Sequence, residues 1–312
     1  MDAPSLFLVD VFAEKPYAGN QLAVVVGASP QHWPTGRMQA FAREMNFSET
    51  TFASATPRDG AFDVRIFTPA EELPFAGHPT LGTAWVLARY FDAACAELAQ
   101  PAGVAVPEVG GAAAPPSRLT LRLGVGEVPV EIAEGRYGEV VRMRPRPPIL
   151  GVEVDGASCA AMLGLDARAL DDRHPCQRVD VGVEFLLVPL RNLDALRAAA
   201  PKTLPAGEPG RMLGVLAFSP EAYEPGGDLS ARMFFEAFGV REDPATGSAA
   251  ACLAAWLSAH RYFGGERVHA RVQQGYELGR PSCLYVGAEP RDGAIHVEVA
   301  GKVVLVARGE VA

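Results

Sequence analysis

Three titratable side chains stand in motifs whose neighbours suit proton transfer. His78 opens His78-Pro79-Thr80-Leu81-Gly82-Thr83-Ala84 and Asp243 opens Asp243-Pro244-Ala245-Thr246-Gly247-Ser248-Ala249. These are two copies of one pattern, (His/Asp)-Pro-x-x-Gly-(Ser/Thr)-Ala, set 165 residues apart. A proline fits the first turn of a helix, where the first amide protons have no partner within the helix. On that reading His78 and Asp243 occupy or adjoin two helix caps, where unpaired amides and the positive end of the helix dipole attract a carboxylate. Capping alone accounts for an aspartate in such a place. It does not account for a titratable residue at the first position of both copies. The third side chain, Glu49, lies in Asn46-Phe47-Ser48-Glu49-Thr50-Thr51-Phe52, between a predicted helix and a β-branched strand, at an element end where functional residues gather. A carboxylate partly desolvated by Phe47 and Phe52 has its pKa pushed upward, toward that of a general base.

The elements that must position these residues come in two similar sets. Arg65-Ile66-Phe67 precedes the first motif and Arg232-Met233-Phe234 the second; the stretches after them end in Arg89-Tyr90-Phe91 and Arg261-Tyr262-Phe263. Val179-Asp180-Val181 echoes Val9-Asp10-Val11, and Phe185 to Val188 echoes Leu22 to Val25. A chain that repeats itself once over half its length is expected to form two similar lobes. The boundaries expected are 1–117 for the first lobe, joined by a C-terminal strand over 302–312, and 118–301 for the second. Gln100 to Ser117, rich in Ala, Pro and Gly, is the expected linker.

Strands are expected over Leu6–Phe12, Leu22–Val26, Phe62–Phe67, Leu119–Leu123, Val128–Ile132 and Val140–Met143, with a final hairpin of Ile295–Val299 and Val303–Ala307 turned at Gly301. Met38, Phe41, Ala42 and Met45 recur at helical spacing and predict an amphipathic helix from Trp33 to Met45. Thr80–Phe91 and Ser248–Phe263 are apolar all round, which marks buried helices. Each lobe should therefore wrap a curved sheet around one central helix, an α+β fold.

Composition excludes several classes. At 312 residues, with 49% hydrophobic and 21% charged residues, the chain is an ordinary globular protein long enough for two domains. The net charge is −9 with no cluster of Lys and Arg, which disfavours nucleic acid and anionic membranes as partners. No apolar run reaches a membrane span, and the N-terminus reads as a first strand rather than a signal peptide, so a cytoplasmic location is expected. The five cysteines are scattered and never in C-x-x-C, which argues for free thiols rather than a disulfide framework or a metal site. Glycine-rich nucleotide motifs and paired metal-ligand histidines are also lacking, and Thr-Gly-Ser-Ala is not the G-x-S-x-G elbow. Chemistry without a cofactor or metal is the expectation.

Taken in order, Asp10-Val11-Phe12 with Gly19-Asn20, Asn46-Phe47-Ser48-Glu49-Thr50, Phe67-Thr68-Pro69 leading to Leu73-Pro74-Phe75-Ala76-Gly77-His78-Pro79, Glu242-Asp243-Pro244-Ala245-Thr246-Gly247-Ser248, Gln274-Gly275 and Gly279-Arg280-Pro281-Ser282 resemble the PhzF family of phenazine-biosynthesis isomerase-like proteins. The resemblance covers essentially the whole chain. It implies a diaminopimelate-epimerase-like fold of two pseudo-symmetric lobes with the active site between them, and a homodimer. It implies that Glu49 removes and returns a proton on a substrate carbon, and that His78 and Asp243 assist. Asn20, Ser48, Gly77, Gly247 and Ser248 would bind a small anionic substrate. Related racemases carry a cysteine just before the glycine of each motif, where this chain has Ala76 and Thr246.

The leading expectation is a cofactor-independent isomerase that shifts a double bond in a small carboxylate-bearing metabolite. The alternatives are an epimerase or racemase of a small amino or hydroxy acid, and a non-catalytic dimer that binds a small acid.

Overall fold

A computed structural model describes residues 3–27, 33–91, 118–135, 137–201, 204, 214–237 and 240–312. The expected linker over 100–117 and Cys95 lie outside the described residues. Contacts divide the chain into two units, one of Met1–Val11, Gln21–Arg142 and Lys302–Ala312, the other of Phe12–Asn20 and Met143–Gly301. The strands over 118–142, which the sequence reading assigns to the second lobe, have their contacts in the first unit.

In the first unit the strands are β1 (Ser5–Val11), β2 (Asn20–Val26), β3 (Glu49–Ala53), β4 (Phe62–Phe67), β5 (Glu72–Leu73), β6 (Arg118–Leu123), β7 (Gly126–Gly135) and β8 (Gly138–Met143). The helices are α1 (Thr35–Met45) and α2 (Gly77–Tyr90). Asn20 at the head of β2 belongs by its contacts to the second unit. Strand β2 runs parallel to β3, β3 antiparallel to β4, β4 parallel to β6, and β6 antiparallel to β7. A parallel pair needs a crossover, and α1 supplies the one between β2 and β3. It ends at Asn46, which takes the left-handed conformation at φ 53°, a common way to close a helix. Against α1, Trp33, Met38, Phe52 and Phe67 form one apolar cluster.

The second unit repeats this plan with β9 (Ile149–Val154), α3 (Gly156–Met162), β10 (Cys176–Asp180), β11 (Glu184–Pro189), α4 (Leu193–Ala198), β12 (Gly214–Ser219), β13 (Leu229–Ala237), β14 (Val240–Asp243), α5 (Gly247–Ala259), β15 (Val268–Gln274), β16 (Ser282–Arg291) and β17 (Ala294–Gly301). Strand β11 is parallel to β12, β12 antiparallel to β13, β13 parallel to β15, and β15 antiparallel to β16. The order and sense of pairing match the first unit strand for strand, with α4 as the crossover. Helices α2 and α5 are the central ones. Gly77 to Ala88 and Ala249 to Ser258 are buried without a break, as their uniformly apolar sequence requires. Each fully buried Leu, Val or Trp among them contributes roughly 1.5–3 kcal/mol by leaving water.

Pairing also fixes the register of the repeat, and it differs from the one read in the sequence. Phe67 and Ile66 of β4 face Glu72 and Leu73, while Phe234 and Met233 of β13 face Glu242 and Asp243. Helices α2 and α5 begin at Gly77 and Gly247, 170 residues apart, after Ala76 and Thr246 as caps. The counterpart of Asp243 is therefore Leu73, and that of His78 is Ser248. Pro79 lies in the first turn of α2, but Pro244 precedes α5 and matches Pro74 instead.

The expected C-terminal hairpin is also replaced. Strand β17 pairs with β16, and β18 (Val303–Glu310) pairs antiparallel with β1. Gly301 is small because a Cβ there would lie 2.3 Å from the Phe12 ring, not because it makes a turn.

Candidate active site

In the first unit Glu49 is the first residue of β3, opposite Leu22 of β2, and is half-buried beside half-buried Ser48. His78 is the second residue of α2 and is 5% exposed. The two side chains meet, with His78 Nε2 3.5 Å from Glu49 Oε2. Burial lowers the His78 pKa to about 3, against a smaller opposing effect of a hydrogen bond to the main chain of Gln21. The pair at neutral pH is thus a carboxyl group facing a neutral imidazole, not an ion pair.

The placement of that pair depends on a second contact. Successive strand residues point to opposite faces, so Thr51 shares a face with Glu49. Thr51 Oγ1 and Thr83 Oγ1 are hydrogen-bonded at 2.8 Å in the interior, which ties β3 to α2 beside the carboxyl group. No side chain caps α2. Its first-turn amides, those of Gly77 and His78, are the kind of donors that hold an anion.

In the second unit Asp243 closes β14 and is 6% exposed. Asn20 Nδ2 donates to Asp243 Oδ1 at 2.9 Å and to the Ala245 carbonyl at 3.0 Å. The Thr246 hydroxyl donates to Asp243 Oδ2. Gln274 Nε2 donates to the Asp243 main-chain oxygen at 2.8 Å. Burial raises the Asp243 pKa to about 6, with the Thr246 and Asn20 hydrogen bonds opposing it and the charge of Glu242 adding to it. A carboxyl group in that range exchanges a proton near neutral pH. Helix α5 likewise has no side-chain cap; Gly247 is its buried first residue, followed by half-buried Ser248.

The two units do not duplicate the chemistry. Leu22 pairs with Glu49 in the first, whereas Phe185 pairs with Gly214 at the matching place in the second. A Cβ at Gly214 would lie 2.0 Å from Met233 Cε, so core packing occupies the place where a second glutamate would stand. Glu49 therefore has no counterpart in the second unit. Thr51, Thr246 and Gln274 were given no functional role by the sequence reading. Each stands in a segment that the sequence singles out, Thr51 beside Glu49, Thr246 in the Asp243 motif and Gln274 before Gly275; Gly275 has φ 81° and a Cβ there would lie 2.6 Å from the Pro244 carbonyl.

Arginines of the repeat brace both sites in the same way. Arg65 lies 5.0 Å over the Phe67 ring and grips Glu72 with two nitrogens; Arg232 lies 4.8 Å over Phe234 and grips Glu242 likewise. The described residues hold no group of three or more His, Cys, Asp or Glu side chains placed for a metal. No helix among them is long and apolar enough to cross a membrane.

Two pseudo-symmetric units, each a largely antiparallel sheet around one central helix, define the diaminopimelate-epimerase-like class. A hydroxyproline epimerase from Agrobacterium vitis shares the fold at a TM-score of 0.54 and 13% identity, over 99% of this chain and 92% of that one. The chain belongs to the phenazine biosynthesis-like (PhzC-PhzF) family of isomerases, whose sequence pattern matches residues 9–309. It is 35% identical over 307 residues, 97% of either chain, to trans-2,3-dihydro-3-hydroxyanthranilate isomerase of Pseudomonas aeruginosa. A PhzF-family phenazine biosynthesis protein of Bacillus anthracis superposes over the full length of both chains with a TM-score of 0.82 at 23% identity.

Proposed function

We propose that Glu49, His78 and Asp243 serve one reaction, the shift of a double bond in a small cyclic carboxylate related to trans-2,3-dihydro-3-hydroxyanthranilate. Glu49 takes a proton from a substrate carbon, the electron pair of that C–H bond moves into the conjugated system, and the proton returns to a different carbon. One C–H bond breaks, another forms, and nothing is oxidised or reduced. The observation that carries this reading is the Glu49–His78 contact, with its imidazole held neutral by burial. With its other nitrogen bonded to the Gln21 main chain, the neutral ring presents a lone pair at Nε2. It therefore accepts a hydrogen bond from the Glu49 carboxyl group once that group holds the proton. Asp243 supplies a second exchangeable proton. A positioned base of this kind gives about 10²- to 10⁴-fold in rate.

Amides of Gly77, Gly247 and Ser248, with the Ser48 and Ser248 hydroxyls, take the substrate carboxylate. The uncapped starts of α2 and α5 support this role. We assign the enzyme to the cytoplasm as a homodimer that needs no cofactor, in keeping with the family. A racemase using two thiols finds none in place. Ala76 and Thr246 precede the two glycines, and Cys252 donates to the Val179 carbonyl at 3.3 Å with its thiol pKa pushed up by burial.

The test is incubation of the purified protein with trans-2,3-dihydro-3-hydroxyanthranilate in deuterium oxide, followed by proton NMR. A double-bond isomer carrying one carbon-bound deuterium supports the reading. A stereoisomer as product would replace it with the epimerase, and binding without turnover would replace it with a small-acid binder.

A further inference from the structure

Gln274, the last residue of β15, is 1% exposed, and both ends of its amide are used. Nε2 donates to the Asp243 carbonyl at 2.8 Å, and Oε1 accepts from the Thr246 amide at 3.4 Å. One side chain thus spans the turn that carries Asp243 toward α5. Asn20, also 1% exposed, spans the same turn from the other direction by bonding Asp243 Oδ1 and the Ala245 carbonyl. Together with the Thr246 hydroxyl, these contacts fix both carboxyl oxygens and the main chain beneath them.

The first unit provides an internal control. Leu123 precedes Gly124 as Gln274 precedes Gly275, and a Cβ at either glycine would meet the motif proline, 2.8 Å from Pro74 Cα and 2.6 Å from the Pro244 carbonyl. Leu123 can donate nothing, and Leu73 stands where the second unit has Asp243. The place is a cavity of about 480 Å³ lined by Leu73, Pro74, Leu123 and Gly124 among others. The polar clamp accompanies the titratable residue and is missing from its counterpart.

We propose that Asn20 and Gln274 are positioning residues that aim the Asp243 carboxyl group, so that Asn20 acts through Asp243 rather than as a substrate ligand. This rests on the reading of Asp243 as part of the active site. Neutral amides suit the task. They orient the carboxyl group in either protonation state, whereas a lysine or arginine would lock it as the anion. The charge acting on Asp243 from its own strand is that of Glu242.

The experiment observes Asp243 directly in the full-length protein labelled with ¹³C at the aspartate carboxyls, its resonance being the one absent from Asp243→Asn. Titrations from about pH 4 to about pH 8 compare wild type with Asn20→Ser and Gln274→Leu. The leucine variant copies the residue that the first unit accommodates at this place. Wild type is expected to titrate at about 6. Asn20→Ser removes a donor that favours the anion, and Gln274→Leu releases the main chain on which the Asn20 and Thr246 donors meet the carboxyl group, so each should raise the midpoint by about half a pH unit or more. Variants that keep the wild-type spectrum elsewhere and leave the Asp243 midpoint unmoved would overturn the proposal. Because no turnover is measured, failure here is distinct from failure of the isomerase reading.

Discussion

His78 Nε2 lies 3.5 Å from Glu49 Oε2, yet the histidine is neutral, because burial outweighs every contact that favours its charge. The same burial makes His78 a liability in acid. Its folded pKa of about 3 lies below the ordinary histidine value of 6.5, so the unfolded chain binds the extra proton first. Stability is therefore fully present above pH 6.5 and falls as the pH drops toward 3. His78→Gln should flatten this acid limb in urea titrations. A variant as acid-sensitive as wild type would show that His78 is charged in the fold.

Asp243 carries the opposite sign. Its folded pKa of about 6 exceeds the ordinary 3.8, so the folded state holds the proton more tightly. Its stabilising effect is complete below pH 3.8 and lost as the pH rises through 6. Asp243→Asn should therefore stabilise the protein at pH 8 by up to about 3 kcal/mol while reducing turnover. Thermal melts at pH 4 and pH 8 check this; equal melting shifts at both would refute it.

Thr51 and Thr83 share one buried hydrogen bond, and such pairs respond asymmetrically to mutation. Thr83→Val strands the Thr51 hydroxyl and should cost about 1–3 kcal/mol, whereas the double change Thr51→Val with Thr83→Val should restore much of that. A double-mutant cycle in urea would read an additive result as evidence against the coupling.

Gly275 offers the steepest backbone prediction. Alanine at φ 81°, with its Cβ 2.4 Å from the Arg280 carbonyl and 2.6 Å from that of Pro244, should cost more than about 2 kcal/mol. It should also disturb the Asp243 turn. Gly265→Ala, where a Cβ has nothing within 4 Å, serves as the neutral comparison by thermal denaturation.

Much of this was legible in the sequence, for stated reasons. Uniformly apolar stretches announced α2 and α5, and the paired Arg-apolar-Phe segments marked the repeat; that both arginines grip a glutamate and lie over a phenylalanine ring is a finding of the structure. The register of the repeat was misread because Pro-x-x-Gly occurs twice within Pro74–Gly82, at Pro74–Gly77 and Pro79–Gly82. The second copy matches the later motif better by residue type. Gly82 owes its presence to packing instead, as a Cβ there would lie 2.6 Å from Leu22 and 2.7 Å from Val11. The final hairpin was misread because two alternating strands around a glycine look alike whether they pair with each other or with β16 and β1. The Asn20 and Gln274 contacts join residues more than 220 and about 30 positions apart, beyond what local pattern can show.

The central claim is that Glu49 moves a proton on a substrate carbon. Glu49→Gln keeps the size and hydrogen-bonding shape of the side chain but removes its basicity. With trans-2,3-dihydro-3-hydroxyanthranilate in deuterium oxide, the wild-type protein is expected to place deuterium on a product carbon. The folded Glu49→Gln variant is expected to place none. Deuterium incorporation by that variant at the wild-type rate would contradict the account.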